Sequence, residues 1–294
     1  MNNLLKWLTL PLLLTLLVTG IYYWSYQRLL TGQDQTQYQL TKKQIKHHLK
    51  QTSVSNSGQL KQAQLITDAN TRDLLSARTQ FQQLVATQGI GELSIPKVAI
   101  KLPIFSTPTM ATLSAGVARY FPQRALDASG NQVLIAHNFD GADVLLQRIN
   151  QLQRGDHLFI TNQSKIYDYQ VQQNQVVAQS QVSVLDNVQT TAQLTLIRCE
   201  GGAQTPWRRV VVGRLVAQRP ITQRLSKIGL SVDTNNLTNE TQLSVVQTNF
   251  EQLTIFVSSH VFNFSWLISL LGLLLLSWWF GISGYLRTNN DGSN

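Results

Sequence analysis

The chain has a single cysteine, Cys199, among 294 residues, so no intramolecular disulfide can form and oxidation does not help it fold. Charge is also scarce: Asp, Glu, Lys and Arg make up only 13% of residues, although they leave a net charge of +9. That excess suits an anionic partner. The basic residues are scattered rather than massed among aromatics, which argues against a nucleic-acid surface and favours anionic lipid head groups or wall polymers. Two runs lack charge altogether, Trp7 to Trp24 and Phe264 to Tyr285. Each is long enough to span a bilayer, and each carries tyrosine or tryptophan near its ends. No small-x-small cleavage site follows the first run, so it reads as an anchor rather than a removed signal. Two crossings put both termini on the cytoplasmic side and everything between them outside.

A lone cysteine is by default a small buried hydrophobe. The setting of Cys199 points elsewhere, because it closes the strand-like run Thr195-Leu196-Ile197-Arg198-Cys199. Leu194 and Leu196 alternate with Thr195, Ile197 and Cys199, so the thiol lies on the face opposite the leucines. A thiol acts as a nucleophile only as thiolate, which calls for a cationic neighbour and a proton partner. His137 ends a second apolar run, Gln132 to His137, and Arg208 and Arg209 open a third, which extends to Val216. Strand parity points the two arginines to opposite faces and does not choose between them.

These residues resemble the motifs of the sortases, cysteine transpeptidases that attach surface proteins to the Gram-positive cell wall. Thr195-Leu196-Ile197-Arg198-Cys199 resembles the family's Thr-Leu-x-Thr-Cys, with Arg198 where threonine is usual. Ala136-His137-Asn138-Phe139 resembles its histidine strand end, and Arg208 to Gly213 its arginine strand. Weaker matches occur at Ile95-Pro96, Leu102-Pro103-Ile104, Gly155-Asp156 and Ser183-Val184-Leu185-Asp186. The resemblance covers roughly residues 90 to 218, and three ordered motifs are more specific than any one. It implies catalysis by Cys199, His137 and Arg208, and no set of residues in the chain reads as a cofactor or metal site. It also implies a Leu-Pro-x-Thr-Gly sorting signal cut between threonine and glycine. The implied partners are signal-bearing surface proteins and a lipid-linked peptidoglycan precursor that supplies the accepting amine.

The expected fold is mainly β, a closed sortase-like barrel of about eight short strands with short helices, flanked by N- and C-terminal transmembrane helices. The chain divides into an anchor over 1–30, a polar helical stalk over 31–90 and the barrel over 91–218. A linker without a functional reading follows over 219–262, then a second span over 263–287 and a cytoplasmic tail over 288–294. Within the barrel, Asp143 to Leu152 has the apolar spacing of a crossover helix, and Asn162-Gln163 reads as a hairpin turn. His157 reads as an ordinary strand residue. In the stalk, His47-His48 reads as a solvated pair, since adjacent residues cannot face one metal from one side of a helix.

The resemblance leaves two roles open. The His137 region looks like that of the housekeeping class A enzymes, whereas a C-terminal span looks like the pilus-assembling class C enzymes. Class C members usually carry an Asp-Pro-aromatic lid, and none occurs between Ser25 and Gly91, which favours wall anchoring over pilin polymerisation. A non-enzymatic two-pass peptide-binding scaffold is the rival from another class, and it would not need Cys199. The Ser-His-Gly-x-x-Cys neighbourhood of an L,D-transpeptidase is absent around Cys199.

Overall fold

The computed structural model describes residues 2–31, 38, 40–51, 68–124, 126, 130–186, 192–221, 230 and 264–290. They fall into two compact units, Leu30–Gln247 on one hand and Met1–Leu29 with Thr248–Asn294 on the other.

Eight strands close the first unit into a barrel: β1 (Gly89–Ile95), β2 (Ile100–Phe105), β3 (Val117–Arg119), β4 (Asn131–Ile135), β5 (His157–Thr161), β6 (Lys165–Ala178), β7 (Gln193–Cys199) and β8 (Trp207–Pro220). Around the barrel they run β1-β2-β3-β4-β7-β8-β6-β5, and β5 returns to β1 through Glu92 to Thr161 and its neighbours. Closure leaves no open sheet edge for a second chain to extend. Two pairings are parallel, β2 with β3 and β4 with β7. The second of these brings the strand ends after Ile135 and at Cys199 to the same rim, which no hairpin could do.

The alternation in β7 sorts its side chains onto two buried faces. Leu194 and Leu196 are fully buried, on the face that Cys199 avoids. On the thiol's own face, Ile197 packs with Val133, Val177 and Val210, and Tyr120, Ile135, Val184 and Leu185 cover this cluster. The strands β6 and β8 each run fourteen residues, longer than the short strands expected. The Asn162-Gln163 turn is present between β5 and β6, and Gln163 takes the left-handed backbone (φ 61°) that such a turn requires.

Among the described residues, four α-helical segments accompany the barrel in this unit and follow α1, the N-terminal helix of the second unit described below. They are α2 (42–51), α3 (Thr71–Thr79), α4 (Phe81–Gln88) and α5 (Met110–Ala115). Asn70 caps α3 in a reciprocal capping box with Asp73, which fixes where that helix begins. Leu74, Leu75, Phe81, Leu84 and Val85 are buried, so the later half of the segment read as a stalk is packed into this unit. The reading of His47-His48 as a solvated pair needs correction. His48 is 4% exposed and its Nδ1 lies 2.6 Å from the Gly89 carbonyl oxygen, while His47 is exposed. Neighbours about 100° apart on a helix divide in this way between core and solvent. The crossover helix expected over Asp143 to Leu152 is also corrected, to a short 3-10 turn over Gln147–Gln151. Leu145 has φ 53°, which an α-helix cannot absorb.

The second unit holds α1 (Asn2–Thr31) and α6 (Phe264–Asn290). Trp278 Nε1 of α6 donates to Thr15 Oγ1 of α1 at 3.2 Å. Among the described residues no helix is long and apolar enough to cross a membrane. Side chains are described without a break only over 11–21 in α1 and 270–284 in α6, so the two expected crossings are not shown. Most of the linker over 219–262 lies outside the described residues. Leu230, one of its few described positions, is buried against Phe159 and Ile166.

Candidate active site

The rim where β4 and β7 end opens into a cleft of about 460 Å³ lined by His137, Cys199, Arg208, Tyr120, Ile197 and Val210, among others. Parallel pairing carries β4 beside β7 up to Ile135 and Ile197. The Ala136 amide then donates to the Ile197 carbonyl at 3.2 Å, and the His137 amide donates to the Leu113 carbonyl of α5 at 3.0 Å. The histidine backbone is thus held from both sides. Its ring packs edge-on to Phe139 and is 5% exposed, and its Nε2 has no hydrogen-bond partner among the described residues. Burial lowers the His137 pKa from the ordinary 6.5 to about 4, against the opposing pull of Asp73 and Asp68.

Cys199 is directly opposite Arg208 in the antiparallel β7–β8 ladder. Burial raises the thiol pKa, while the Arg208 charge, the first of the opposing influences, pulls it down. Both Cys199 and His137 are therefore neutral at rest near pH 7. Arg208 Nη1 donates to the carbonyls of Thr205 (2.8 Å) and Trp207 (2.9 Å), and Nη2 donates to Gln179 Oε1 (2.7 Å). Arg209 points the other way. It forms a two-pronged pair with Glu200 (Nη2 to Oε1 2.7 Å, Nε to Oε2 3.2 Å) and reaches Asn174 Oδ1 at 3.3 Å. The parity question left open by the sequence is thus answered in geometry, with Arg208 facing the cleft.

Of the other residues weighed from the sequence, His157 is outside the cleft, where it contacts Asp168 Oδ1 at 2.6 Å and stacks on Phe159. Val184 and Leu185 reach the cleft wall, carried by the 3-10 turn Val182–Leu185. Asn131 Nδ2 donates to the carbonyls of Val184 (3.0 Å) and Asp186 (3.2 Å), and Thr195 Oγ1 donates to Asn131 Oδ1 at 2.7 Å. A buried side-chain pair inside the sheet therefore ties down the loop above it. Sequence reasoning missed Asp68, which lines the cleft beside Ala69 and accepts the Gln204 amide. Its charge acts on both Cys199 and His137. The only signal for it was an acidic residue shortly before a capping asparagine.

Residues 93–216 match the sequence model of the Sortase family, described as the Sortase domain. This part of the chain is a sortase domain. Sortase A of Listeria monocytogenes is 29% identical to the chain over 136 residues, which cover 46% of this chain and 60% of that protein. Sortase A of Streptococcus agalactiae is 25% identical over 217 residues, covering 71% of this chain and 83% of that protein. The solved structure of the Listeria monocytogenes sortase A aligns with a TM-score of 0.46 at 27% identity, over 48% of this chain and 97% of that one. The matched domain and the Sortase A relatives indicate a cysteine transpeptidase, and the chain spans less than two thirds of the length of the Listeria monocytogenes relative.

Proposed function

We propose that the chain is a membrane-anchored transpeptidase that cuts a Leu-Pro-x-Thr-Gly-type signal between threonine and glycine and passes the new carboxyl end to a cell-wall precursor amine. The observation that carries this reading is the meeting of three groups in one cleft: the Cys199 thiol, the His137 imidazole with an unengaged Nε2, and Arg208 across the ladder from the thiol. The sortase domain supports the reaction class, and two relatives named Sortase A support wall anchoring over pilin polymerisation.

The neutral resting pair sets the order of proton movements. As Cys199 Sγ attacks the threonine carbonyl carbon, its proton passes to His137 Nε2, and the new C–S bond leaves negative charge on the carbonyl oxygen. Arg208 stabilises that oxygen with N–H donors its present carbonyl partners do not use. Collapse breaks the C–N bond, and the imidazolium returns its proton to the departing glycine amine, leaving a thioester. The acceptor amine then gives a proton to His137 as it attacks. The C–S bond breaks, sulfur takes the proton back, and a new amide is formed.

Two sequence features support attachment to a membrane, the uncharged runs Trp7–Trp24 and Phe264–Tyr285, each inside one of the helices α1 and α6. The hydrogen bond from Trp278 to Thr15 is the kind that joins helices where water is scarce. Anchoring of both ends would hold the barrel near lipid-linked precursor. Turnover of a fluorogenic Leu-Pro-x-Thr-Gly peptide by the purified full chain, with and without an added amine, tests the reading. Release of a glycine-starting fragment that depends on Cys199 is expected, and equal activity in Cys199→Ala would instead support a binding scaffold.

A further inference from the structure

Arg198 precedes the nucleophile and points away from it, yet it is 4% exposed. A buried guanidinium is costly unless its donors are met, and here each nitrogen has a partner close to the catalytic residues. Nε donates to the Leu146 carbonyl at 3.1 Å, and Nη2 to the Gln147 carbonyl at 3.2 Å. Nη1 donates to the Cys199 carbonyl at 2.7 Å and to Asn138 Oδ1 at 3.4 Å, and it pairs with Glu200 Oε2 at 2.9 Å. Asn138 follows His137 directly and donates from Nδ2 to the Gly201 carbonyl at 3.0 Å. Gly201, in turn, has φ 90°, a backbone that favours glycine. Glu200 also holds Arg209, and the Arg209 hydrogen bond keeps its carboxyl below the usual carboxylate range. One planar fork thus grips the carbonyl of the thiol residue, the side chain next to the imidazole residue, and the turn over Leu146-Gln147.

We propose that Arg198, with Glu200 as its counter-ion, is a positioning residue that fixes the separation and orientation of Cys199 and His137. It touches neither reacting atom. A lysine in its place keeps the charge but loses the fork that spans three backbone segments. The proposal rests on the transpeptidase reading for its kinetic consequence, but the relative placement of thiol and imidazole can be read without any peptide.

The test uses the full-length chain and the variants Arg198→Lys and Asn138→Ala. The first readout is the rate of Cys199 alkylation by iodoacetamide against pH, in which the wild type should show an inflection where His137 titrates, since an imidazolium in the cleft that holds the thiol favours thiolate. Both variants should lose or flatten that inflection while keeping the main thiol titration. The second readout is turnover of the Leu-Pro-x-Thr-Gly peptide, in which Arg198→Lys should lower kcat by on the order of 10-fold or more with KM within a few-fold. Asn138→Ala should show the same pattern at smaller size. Wild-type kcat and an unchanged inflection in both variants would overturn the proposal. So would a role through charge alone, in which Arg198→Lys behaves as wild type and Arg198→Met shifts the whole thiol titration upward. If Arg198→Lys does not fold, Asn138→Ala decides, since its side chain is only half-buried. A wild type that shows the inflection but never turns over the peptide removes the transpeptidase reading and leaves the positioning role standing.

Discussion

Burial of His137 should be measurable as acid sensitivity of the folded barrel. The imidazole titrates at about 4 in the folded chain, against 6.5 for an ordinary histidine, chiefly because burial penalises its charged form. A base whose folded pKa is lowered binds its proton less readily folded than unfolded. Its destabilising effect is therefore absent above pH 6.5, grows as pH falls from 6.5 to about 4, and is complete below that. At about 1.4 kcal/mol per pH unit across this window, the lost stability is about 3 kcal/mol. His137→Gln keeps a polar side chain of similar size but cannot titrate there. Urea unfolding of the wild type and of this variant, followed by tryptophan fluorescence at pH 7, 5.5 and 4, isolates the contribution because the other carboxylates and histidines titrate in both. The wild type should lose about 3 kcal/mol more than the variant between pH 7 and pH 4, most of it below pH 6. Parallel losses in the two proteins would refute the claim that the imidazole is held neutral by burial.

The remaining expectations concern the cleft and the chain ends. Arg208→Ala should reduce peptide turnover on the order of 10²-fold with Arg208→Lys rescuing poorly, whereas Arg209→Ala should stay within a few-fold; a cleavage assay giving the reverse ranking would move the role to Arg209. Asp68→Asn removes a negative charge that raises the thiol pKa, so iodoacetamide should alkylate Cys199 faster at pH 7 than in the wild type, and the difference should shrink in 1 M salt. An unchanged rate would mean that Asp68 does not act on the thiol. Protease added to intact protoplasts should digest the barrel and spare tags at Met1 and Asn294, and loss of the C-terminal tag alone would show that Phe264 to Tyr285 does not cross.

Much of the site was legible because strand parity is a strict rule. The alternation around Cys199 placed the thiol away from Leu194 and Leu196, and the structure puts it with Ile197 on the cleft side. Strand ends marked by His137 and Cys199 were visible as apolar runs that stop at a reactive residue, and the parallel β4–β7 pairing brings those ends together. The same alternation could not rank Arg208 and Arg209, because both faces of the strand are apolar enough for core. Only the register opposite Cys199 and the competing pull of Glu200 on Arg209 separate them. Arg198 stood out only as a departure from a motif, since the carbonyls it binds, Leu146 and Gln147, are some fifty residues away in sequence. The crossover was misread because apolar spacing reports which side chains are buried and not whether the backbone can continue a helix. The positive φ of Leu145 interrupts it.

On the proposed reading, Cys199 is the nucleophile of an acyl-transfer reaction assisted by His137. Intact-mass analysis of the full chain after brief exposure to a Leu-Pro-x-Thr-Gly peptide, without added amine, tests it most directly. A mass increase equal to the peptide's N-terminal fragment through threonine is expected, located on Cys199, discharged by an added amine and greatly slowed in His137→Ala. A wild-type mass that stays unchanged while the peptide is demonstrably bound would contradict it.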